Sequence, residues 1–285
     1  MTVTESFGIT YTTRGIVYTL SGADTHTGLT FQYLGDQGFG LAPLHRITTR
    51  GPLQDGDSDI DFRLDPRVLQ LPLMVVNTST TPRYQHYEIR EKLLQIFRPQ
   101  NSGVLAIQRT GGPTKNRKIN VRVLGGLSFD VEPDSWHVRT VVQLRASDPT
   151  WYDDSVSNSL TVPQANFGVA QNVTNDGNWN TFPIITIAGP VTNFKITNNT
   201  TGQFIELTGT IASGVSNVVK IDLSYGKKTV TNNSTGANLI STVTPASNLA
   251  TWSLQPGVNS ITMTGTGLTA GTSVTMTWFD RFTGI

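Results

Sequence analysis

The stretch from Thr81 to Asp154 constrains the fold most, because it contains one helix, then several alternating strands, then an abrupt stop. The helix pattern reads TPRYQHYEIREKLLQIFRP, in which Thr81 suits the cap, Pro82 suits the first helical position and Pro99 forbids continuation. The apolar residues of this pattern recur at the spacing of a single helix face: Ile89, Leu93, Ile96 and Phe97. That face has to be buried, so we expect one helix lying on an otherwise all-β domain.

Alternating sequence follows the helix and ends in ASDPTWYDD, at Ala146 to Asp154. Period-two spacing places one set of residues on one face of a strand: Val138, Thr140, Val142, Leu144 and Ala146. Arg139, Gln143 and Arg145 share the other face. The segments GGPTKNRK and EPDSW carry turn residues, which predicts antiparallel connections between the strands.

Charged residues are concentrated in the first half of the chain. Charged residues make up only 14% of the 285 residues, against roughly 25% in an average globular protein. Residues 1–150 hold 16 of the 21 basic and 14 of the 20 acidic residues. This shift predicts a boundary just after Asp148-Pro149, with domains at 1–150 and 151–285. The formal net charge of +1 argues against strong non-specific nucleic-acid binding.

Short strands broken by Gly, Asn and Pro fill the second half, which predicts a β-sandwich there. The chain has no cysteine, so disulfides and thiolate metal sites are excluded. The N-terminal sequence MTVTESFGITY lacks the basic start and apolar core of a signal peptide. The longest apolar runs are strand-sized, so we expect no membrane insertion.

The acidic run Asp55, Asp57, Asp59, Asp61 is the one dense cluster of potential ligands. An EF-hand loop is excluded, because Ile60 and Pro66 stand where the glycine and the bidentate glutamate are required. Period-two spacing instead predicts four carboxylates on one side of a strand or hairpin arm. The plainer interpretation is a solvated face. The functional alternative is the electronegative wall of a channel through which DNA slides without sticking.

The remaining candidate residues give no catalytic constellation. The four histidines are scattered without ligand spacing, and no GxSxG, HExxH or Walker motif is present. Glu206 is the one glutamate of the second half, which argues against a hydrolase there. The basic turn at Lys115, Arg117 and Lys118 lacks interleaved aromatic residues, which predicts a hairpin tip that is either solvated or in contact with a protein. We therefore expect no catalytic, cofactor-binding or metal site.

Three tryptophans leave one alternative function open. Trp179, Trp252 and Trp278 could stack on sugar rings, as in a carbohydrate-binding adhesion module. Trp278, however, lies in the alternating segment SVTMTWF, which favours a place in the core.

The ordered series of segments resembles the distal tail proteins of long, non-contractile-tailed bacteriophages (the Dit family). In the first half the resemblance is carried by Gly51-Pro52, the run QDGDSDIDFRLDP, the helix ending in Phe97-Arg98-Pro99, the strands GVLAIQR and INVRVLGG, and the DPTWYDD stop. In the second half it is carried by NDGNWNTFPIITIAGP, NFKITNNTTGQFIEL and LQPGVN.

The resemblance implies a mainly β protein. Its N-terminal domain would be a β-sandwich with one α-helix and a protruding hairpin, of the tail-tube-like kind that forms rings, and its C-terminal domain a galectin-like β-sandwich. The implied role is structural and not enzymatic: a homohexameric hub at the distal tip of the virion tail, assembled in the host cytoplasm. Its implied partners are the tail tube protein, the tape measure protein, a tail-associated protein, and either a receptor-binding protein or host surface carbohydrate. DNA would pass through the channel without specific binding.

Overall fold

The computed structural model describes residues 6–35, 37–77, 85–110, 116–129, 137–154 and 157–285. The chain divides into two compact units, Met1–Asp154 with Thr283–Ile285, and Ser155–Phe282. The second unit thus follows the DPTWYDD stop, and the three residues after Phe282 group with the first unit. That the two halves fold independently stays a prediction.

The first unit contains ten strands and the one α-helix of the described residues. The strands are β1 (Ser6–Thr13), β2 (Ile16–Thr19), β3 (Leu29–Tyr33), β4 (Leu44–Thr49), β5 (Ser58–Leu64), β6 (Arg67–Asn77), β7 (Ser102–Thr110), β8 (Arg117–Gly126), β9 (His137–Ala146) and β10 (Trp151–Asp153), and helix α1 spans Gln85–Ile96. Seven strands form one antiparallel sheet in the order β2-β1-β7-β8-β9-β6-β3. Strand β10 pairs with β8, and β4 pairs with β5 in a separate two-stranded sheet.

The helix covers the inner face of the seven-stranded sheet. The predicted apolar stripe is confirmed, since its four side chains are at most 1% exposed: Ile89, Leu93, Ile96 and Phe97. The ring of Phe97 stacks on Tyr11 of β1 with centroids 5.0 Å apart. On the polar side, Lys92 Nζ donates to the carbonyl of Thr27 at 2.8 Å. The predicted caps Thr81 and Pro82 lie outside the described residues.

The DPTW stop is a local turn held by Asp148, which is buried. Its carboxylate accepts hydrogen bonds from the backbone N–H of Thr150 at 3.3 Å, from the Thr150 hydroxyl at 2.8 Å and from the Tyr152 hydroxyl. Side-chain oxygens of this kind turn the backbone and satisfy groups that a strand ladder would otherwise pair. Strand β9 therefore ends where the sequence predicted.

The second unit is a β-sandwich, as predicted. Its strands are β11 (Asn158–Pro163), β12 (Gln171–Asn175), β13 (Ile184–Ala188), β14 (Val191–Asn198), β15 (Gln203–Glu206), β16 (Thr210–Ile211), β17 (Val219–Asp222), β18 (Thr229–Asn232), β19 (Gly257–Thr266), β20 (Ser273–Trp278) and β21 (Arg281–Phe282). Three short 3-10 helices span Gln164–Asn166, Val215–Asn217 and Ile240–Thr242. One sheet has the order β11-β20-β13-β17-β18, and the other has the order β12-β19-β14-β15 with β16 beside β14.

Three buried asparagines hold the turns that the sequence motifs mark. Asn175 of NDGNW donates to the carbonyl of Trp179 at 3.0 Å, and Asn198 of TNNT donates to the carbonyl of Ser253 at 2.9 Å. Asn259 of LQPGVN exchanges two hydrogen bonds with the backbone of Gln255, at 2.8 and 2.9 Å. Buried amides of this kind replace water as partners of turn backbone. The Asn-rich composition is therefore structural.

Candidate assembly surfaces

The hairpin formed by β4 and β5 is the most exposed regular element of the first unit. Its two strands pair only with each other among the described strands, and none of their residues is buried. Large apolar side chains are exposed on it, including Ile60 at 64% and Phe62 at 45%. An isolated two-stranded hairpin is marginally stable in water. Such an element is typical of a surface that a partner covers.

The acidic run lies on this hairpin, but it does not form one continuous row. Asp59 and Asp61 lie on β5, whereas Asp55 and Asp57 precede it in the connecting loop. The register also shifts between the pairs Ile47–Asp61 and Thr48–Asp59, so a bulge separates the two strand aspartates. All four are exposed. Their role as a channel wall stays a prediction.

The hairpin neutralises only part of its own charge. Arg46 Nη1 lies 2.9 Å from Asp59 Oδ2, with about 60% of each side chain exposed. An ion pair this exposed contributes at most about 1 kcal/mol. Asp61 accepts a hydrogen bond from the backbone N–H of Phe62 at 2.7 Å.

The basic turn differs from its sequence prediction. Lys115 lies outside the described residues, but Arg117 and Lys118 begin strand β8 and do not form an exposed tip. Arg117 is 7% exposed and lies 3.4 Å from Asp153, and Lys118 lies 3.6 Å from Asp154. The DPTWYDD stop supplies both acids, which the sequence could not reveal because they are distant from Arg117 along the chain.

A basic surface on the seven-stranded sheet was missed from the sequence. Arg122, Arg139 and Arg145 are exposed on strands β8 and β9. The seven strands of that sheet contain no aspartate or glutamate. Period-two alternation places Arg139 and Arg145 on one face of β9. The absence of aspartate and glutamate from the strands of this sheet is the sequence signal that could have identified the surface as basic.

The tryptophans are mainly core residues, as the pattern of Trp278 predicted. Trp252 is fully buried and Trp278 is 6% exposed, and both belong to the core between the two sheets of the second unit. A buried indole cannot stack on a sugar ring without unfolding its surroundings. The observation that suggested carbohydrate binding therefore applies only to Trp179, which is partly exposed.

Two acids of the second unit, Glu206 and Asp222, form ion pairs with lysines, which indicates a structural role for both. Glu206 lies 3.8 Å from Lys195, and Asp222 lies 3.3 Å from Lys227. Burial opposes ionisation of Asp222, but hydrogen bonds from Ser224 and the proximity of Lys227 hold its pKa below the ordinary value. A carboxylate that stays ionised in this way is a poor general acid. Within the described ranges, no group of three His, Asp or Glu side chains could hold a metal ion.

Lys228 is the one lysine of the second unit with a strongly shifted pKa among the described residues. Burial and then the charge of Arg281 lower its pKa to about 8, and Asp222 opposes this shift in part. Its Nζ lies 4.0 Å from the centroid of the Phe182 ring and donates to the carbonyl of Leu223 at 2.9 Å. The described contacts of Lys228 Nζ are with an aromatic ring and a backbone carbonyl, and they include no second nucleophile. The geometry therefore indicates a packing role for this lysine and not a catalytic one.

No helix in the described part of the chain has the length and apolar character needed to cross a membrane.

Comparison with known proteins finds one family that matches part of the chain. Residues 176–282 match the family described as siphovirus-type tail component, C-terminal domain. This match lies within the second unit and covers most of it. No sequence among curated proteins matches the chain.

Solved structures match the chain over both units. The Dit protein of phage SPP1 is 16% identical, covers 96% of this chain and 99% of its own, and has a TM-score of 0.68. A chain of the phage P2 baseplate in its activated conformation with Ca is 9% identical, with coverage of 96% and 98% and a TM-score of 0.52. The same baseplate with Sr gives the same values. The resemblance to siphophage distal tail proteins and the mainly β fold are thereby confirmed.

Proposed function

We propose that this tail component is a structural hub at the distal end of a siphophage tail. The observation that carries the proposal is the two-unit fold, which is shared from end to end with SPP1 Dit, a protein described as a hub of the adsorption apparatus. The likeness to a P2 baseplate chain supports the same role. Fold alone does not fix function, so the proposal also draws on the exposed hairpin and the basic sheet face as surfaces for assembly.

The hub is a ring of six copies built by the first unit. A closed ring needs a heterologous contact that returns on itself, so each copy must present two different surfaces. The ring joins the tail tube protein, the tape measure protein and a tail-associated protein. The second unit carries attachment for a receptor-binding protein. The ring is assembled in the host cytoplasm and located at the distal tip of the virion tail.

Reconstruction of the tail tip from purified virions tests this proposal. We expect six copies in one ring, with the first units surrounding the channel. A tip with one or three copies, or a ring built by the second units, contradicts the proposal. The mass of the purified protein in solution gives a second measurement, because a stable ring has six times the mass of one chain.

The proposed role is not enzymatic. Glu206 and Asp222 are acids of the second unit that both lie in ion pairs. Purified protein incubated with host cell wall, polysaccharide and peptide substrates is expected to release no product. Release of product that disappears in a Glu206→Gln or Asp222→Asn variant contradicts this expectation.

The acidic hairpin has two candidate roles within the hub. The sequence suggested a channel wall that repels DNA phosphates. The exposed apolar side chains of the hairpin and the basic sheet face favour a contact between subunits.

A further inference from the structure

The outer face of the seven-stranded sheet concentrates positive charge without compensation. Arg122 of β8 and Arg145 of β9 are direct cross-strand partners. Like charges placed directly opposite each other destabilise a sheet. Arg145 Nη1 donates to the Ser147 hydroxyl at 3.2 Å, but neither arginine makes an ion pair with a carboxylate in the described ranges. An anion supplied from outside this chain would remove the repulsion.

The same end of the sheet carries two further exposed arginines. Arg14 occupies the turn between β1 and β2, and Arg98 follows helix α1. Together with Gln100 and Asn101 they line a depression of about 560 Å³. A second depression of about 410 Å³ also contains Arg14 and extends to Ser102, which is the cross-strand partner of Arg122. Arg14 and Arg98 therefore lie at the end of the sheet that also carries Arg122.

Exposed apolar side chains lie among these arginines. Val68 of β6 is the cross-strand partner of Arg145 and is 40% exposed. Leu124 follows Arg122 by two residues, at a bulge of β8, and is 53% exposed. A phosphate backbone would use the arginines but not the apolar groups. A mixed surface of this composition fits a protein partner, because interface cores combine arginine with apolar contacts.

The β4–β5 hairpin has the complementary composition. Its segment from Leu44 to Asp65 contains five aspartates and three arginines, and one aspartate is already paired with Arg46. Asp59 and Asp61 flank the exposed Ile60 on β5. The hairpin thus offers carboxylates next to an apolar side chain, where the sheet face offers guanidinium groups next to apolar side chains.

We propose that the hairpin of one copy docks on the arginine face of a second copy, head to tail. The arginine face is defined by Arg122 and Arg145 with Val68 and Leu124, and Arg14 and Arg98 lie at its end. The inference rests on the proposed ring and names its two contact surfaces. Because the two surfaces differ, the contact is heterologous and repeats around the ring until it closes. Charge complementarity selects the register, and the apolar side chains exclude water from the contact.

Cross-linking in assembled tails tests the proposal. Because the native chain has no cysteine, the cross-linker can react only with the cysteines that are introduced. A chain carrying both Ile60→Cys and Leu124→Cys replaces the native protein during phage assembly in the host. Purified tails are then treated with a short bis-maleimide. Head-to-tail contact predicts a ladder of linked copies up to six. Either single variant should give no linked copies. Ile60→Cys combined with Leu94→Cys, an exposed position of helix α1 on the other face of the sheet, is the matched control and should also give none.

Charge reversal supplies the second measurement. Asp59→Arg/Asp61→Arg and Arg122→Glu/Arg145→Glu are each expected to lower the yield of tails containing the ring by about tenfold. A chain carrying all four changes should recover most of the yield. Melting temperatures of the purified variants check that all of them fold, which is expected since the four side chains are exposed.

The outcomes separate this inference from the proposed hub. A six-copy ring in the tail reconstruction, without cross-links and with normal yield of both reversed variants, overturns the inference and leaves the hub intact. Absence of any ring overturns the hub. Loss of DNA retention by Arg122→Glu/Arg145→Glu tails with normal assembly identifies nucleic acid as the occupant and also overturns the inference.

Discussion

The guanidinium of Arg67 donates from Nε to the backbone carbonyl of Pro149 at 2.8 Å, which ties the first residue of β6 to the DPTW stop. Arg67 is 1% exposed and lies over the ring of Trp151. Its other N–H groups donate to the carbonyls of Gly38, Gly40 and Thr283, so one side chain joins four segments of the first unit. Burial lowers its pKa to about 10, which leaves it charged at neutral pH.

Replacement of Arg67 by methionine is expected to destabilise the first unit by about 3–5 kcal/mol. The change leaves buried carbonyl groups without donors, and each unsatisfied group costs about 1–3 kcal/mol. Arg67→Lys should recover little, because an ammonium lacks the planar fork that reaches separate carbonyls. Hydrogen exchange of β6 and β9 at increasing urea concentration measures the loss in the first unit. Arg139→Met is the matched control: its side chain is exposed on the same sheet, and a loss as large as that of Arg67→Met would refute the assignment.

Leu93 and Leu94 are adjacent on helix α1 and give a sharp comparison. Leu93 is fully buried, whereas Leu94 is 54% exposed. Leu93→Ala is expected to cost about 2–5 kcal/mol through lost transfer energy and a residual cavity, and Leu94→Ala less than about 1 kcal/mol. Thermal unfolding of the two variants measures the difference. Equal losses would show that the helix does not lie on the sheet through this face.

Gly103 is required for the packing of Tyr11. A Cβ atom at residue 103 would lie 2.3 Å from the Tyr11 ring, so Gly103→Ala forces the ring or strand β7 to move. Overpacking of this kind typically costs about 1–3 kcal/mol. At Gly125 of the neighbouring strand the nearest atom to an added Cβ is the Gln143 side-chain oxygen at 3.9 Å. Gly125→Ala should therefore be nearly neutral in the same denaturation experiment, and a stable Gly103→Ala variant would contradict the packing.

The sequence was most predictive where a single period dominated. The helix stripe and the alternation of Val138, Val142 and Leu144 identified the buried faces, because each pattern fits only one secondary structure. Strand β1 was missed. One of its buried positions is the polar residue Thr13, which weakens the apolar alternation. The turn that follows has Arg14 at a φ of 53°, a backbone conformation in which hairpin turns usually have Asn or Gly.

Contacts between residues that are distant along the chain could not be predicted from the sequence. The acidic run had a visible spacing, but the bulge between Asp59 and Asp61 depends on pairing with Ile47 and Thr48. The arginine face requires the order of the strands, since Arg122 and Arg145 meet only when β8 lies beside β9. Strands β11 and β12 were also missed, because their exposed residues are Asn, Ser, Thr and Pro and resemble loop sequence.

Lys228 predicts a pH dependence of the second unit. Its pKa is about 8 in the folded protein against an ordinary value of 10.5. Between these values the folded chain releases a proton that the unfolded chain retains, so stability rises with pH through this window. Below about pH 8 both states bind the proton, and this contribution to the slope disappears. Urea unfolding at pH 7, 8, 9 and 10 should show the rise in the native chain and a smaller rise in Lys228→Met. Lys195→Met, which removes a more exposed lysine, is the control, and identical slopes for the native chain and Lys228→Met would refute the prediction.

The residues after Phe282 are expected to stabilise the first unit and not the second. The Thr283 carbonyl accepts from Arg67 Nη2 at 2.5 Å, and the backbone N–H of Ile285 donates to the Phe39 carbonyl at 3.2 Å. Truncation after Phe282 should therefore lower the stability of the first unit by about 1–3 kcal/mol, since Arg67 loses a buried acceptor. Residues 157–282 expressed alone should unfold cooperatively with the stability that they have in the full chain. Hydrogen exchange of the truncated chain separates the two units, and faster exchange in β13 and β20 with unchanged exchange in β6 and β9 would reverse the assignment.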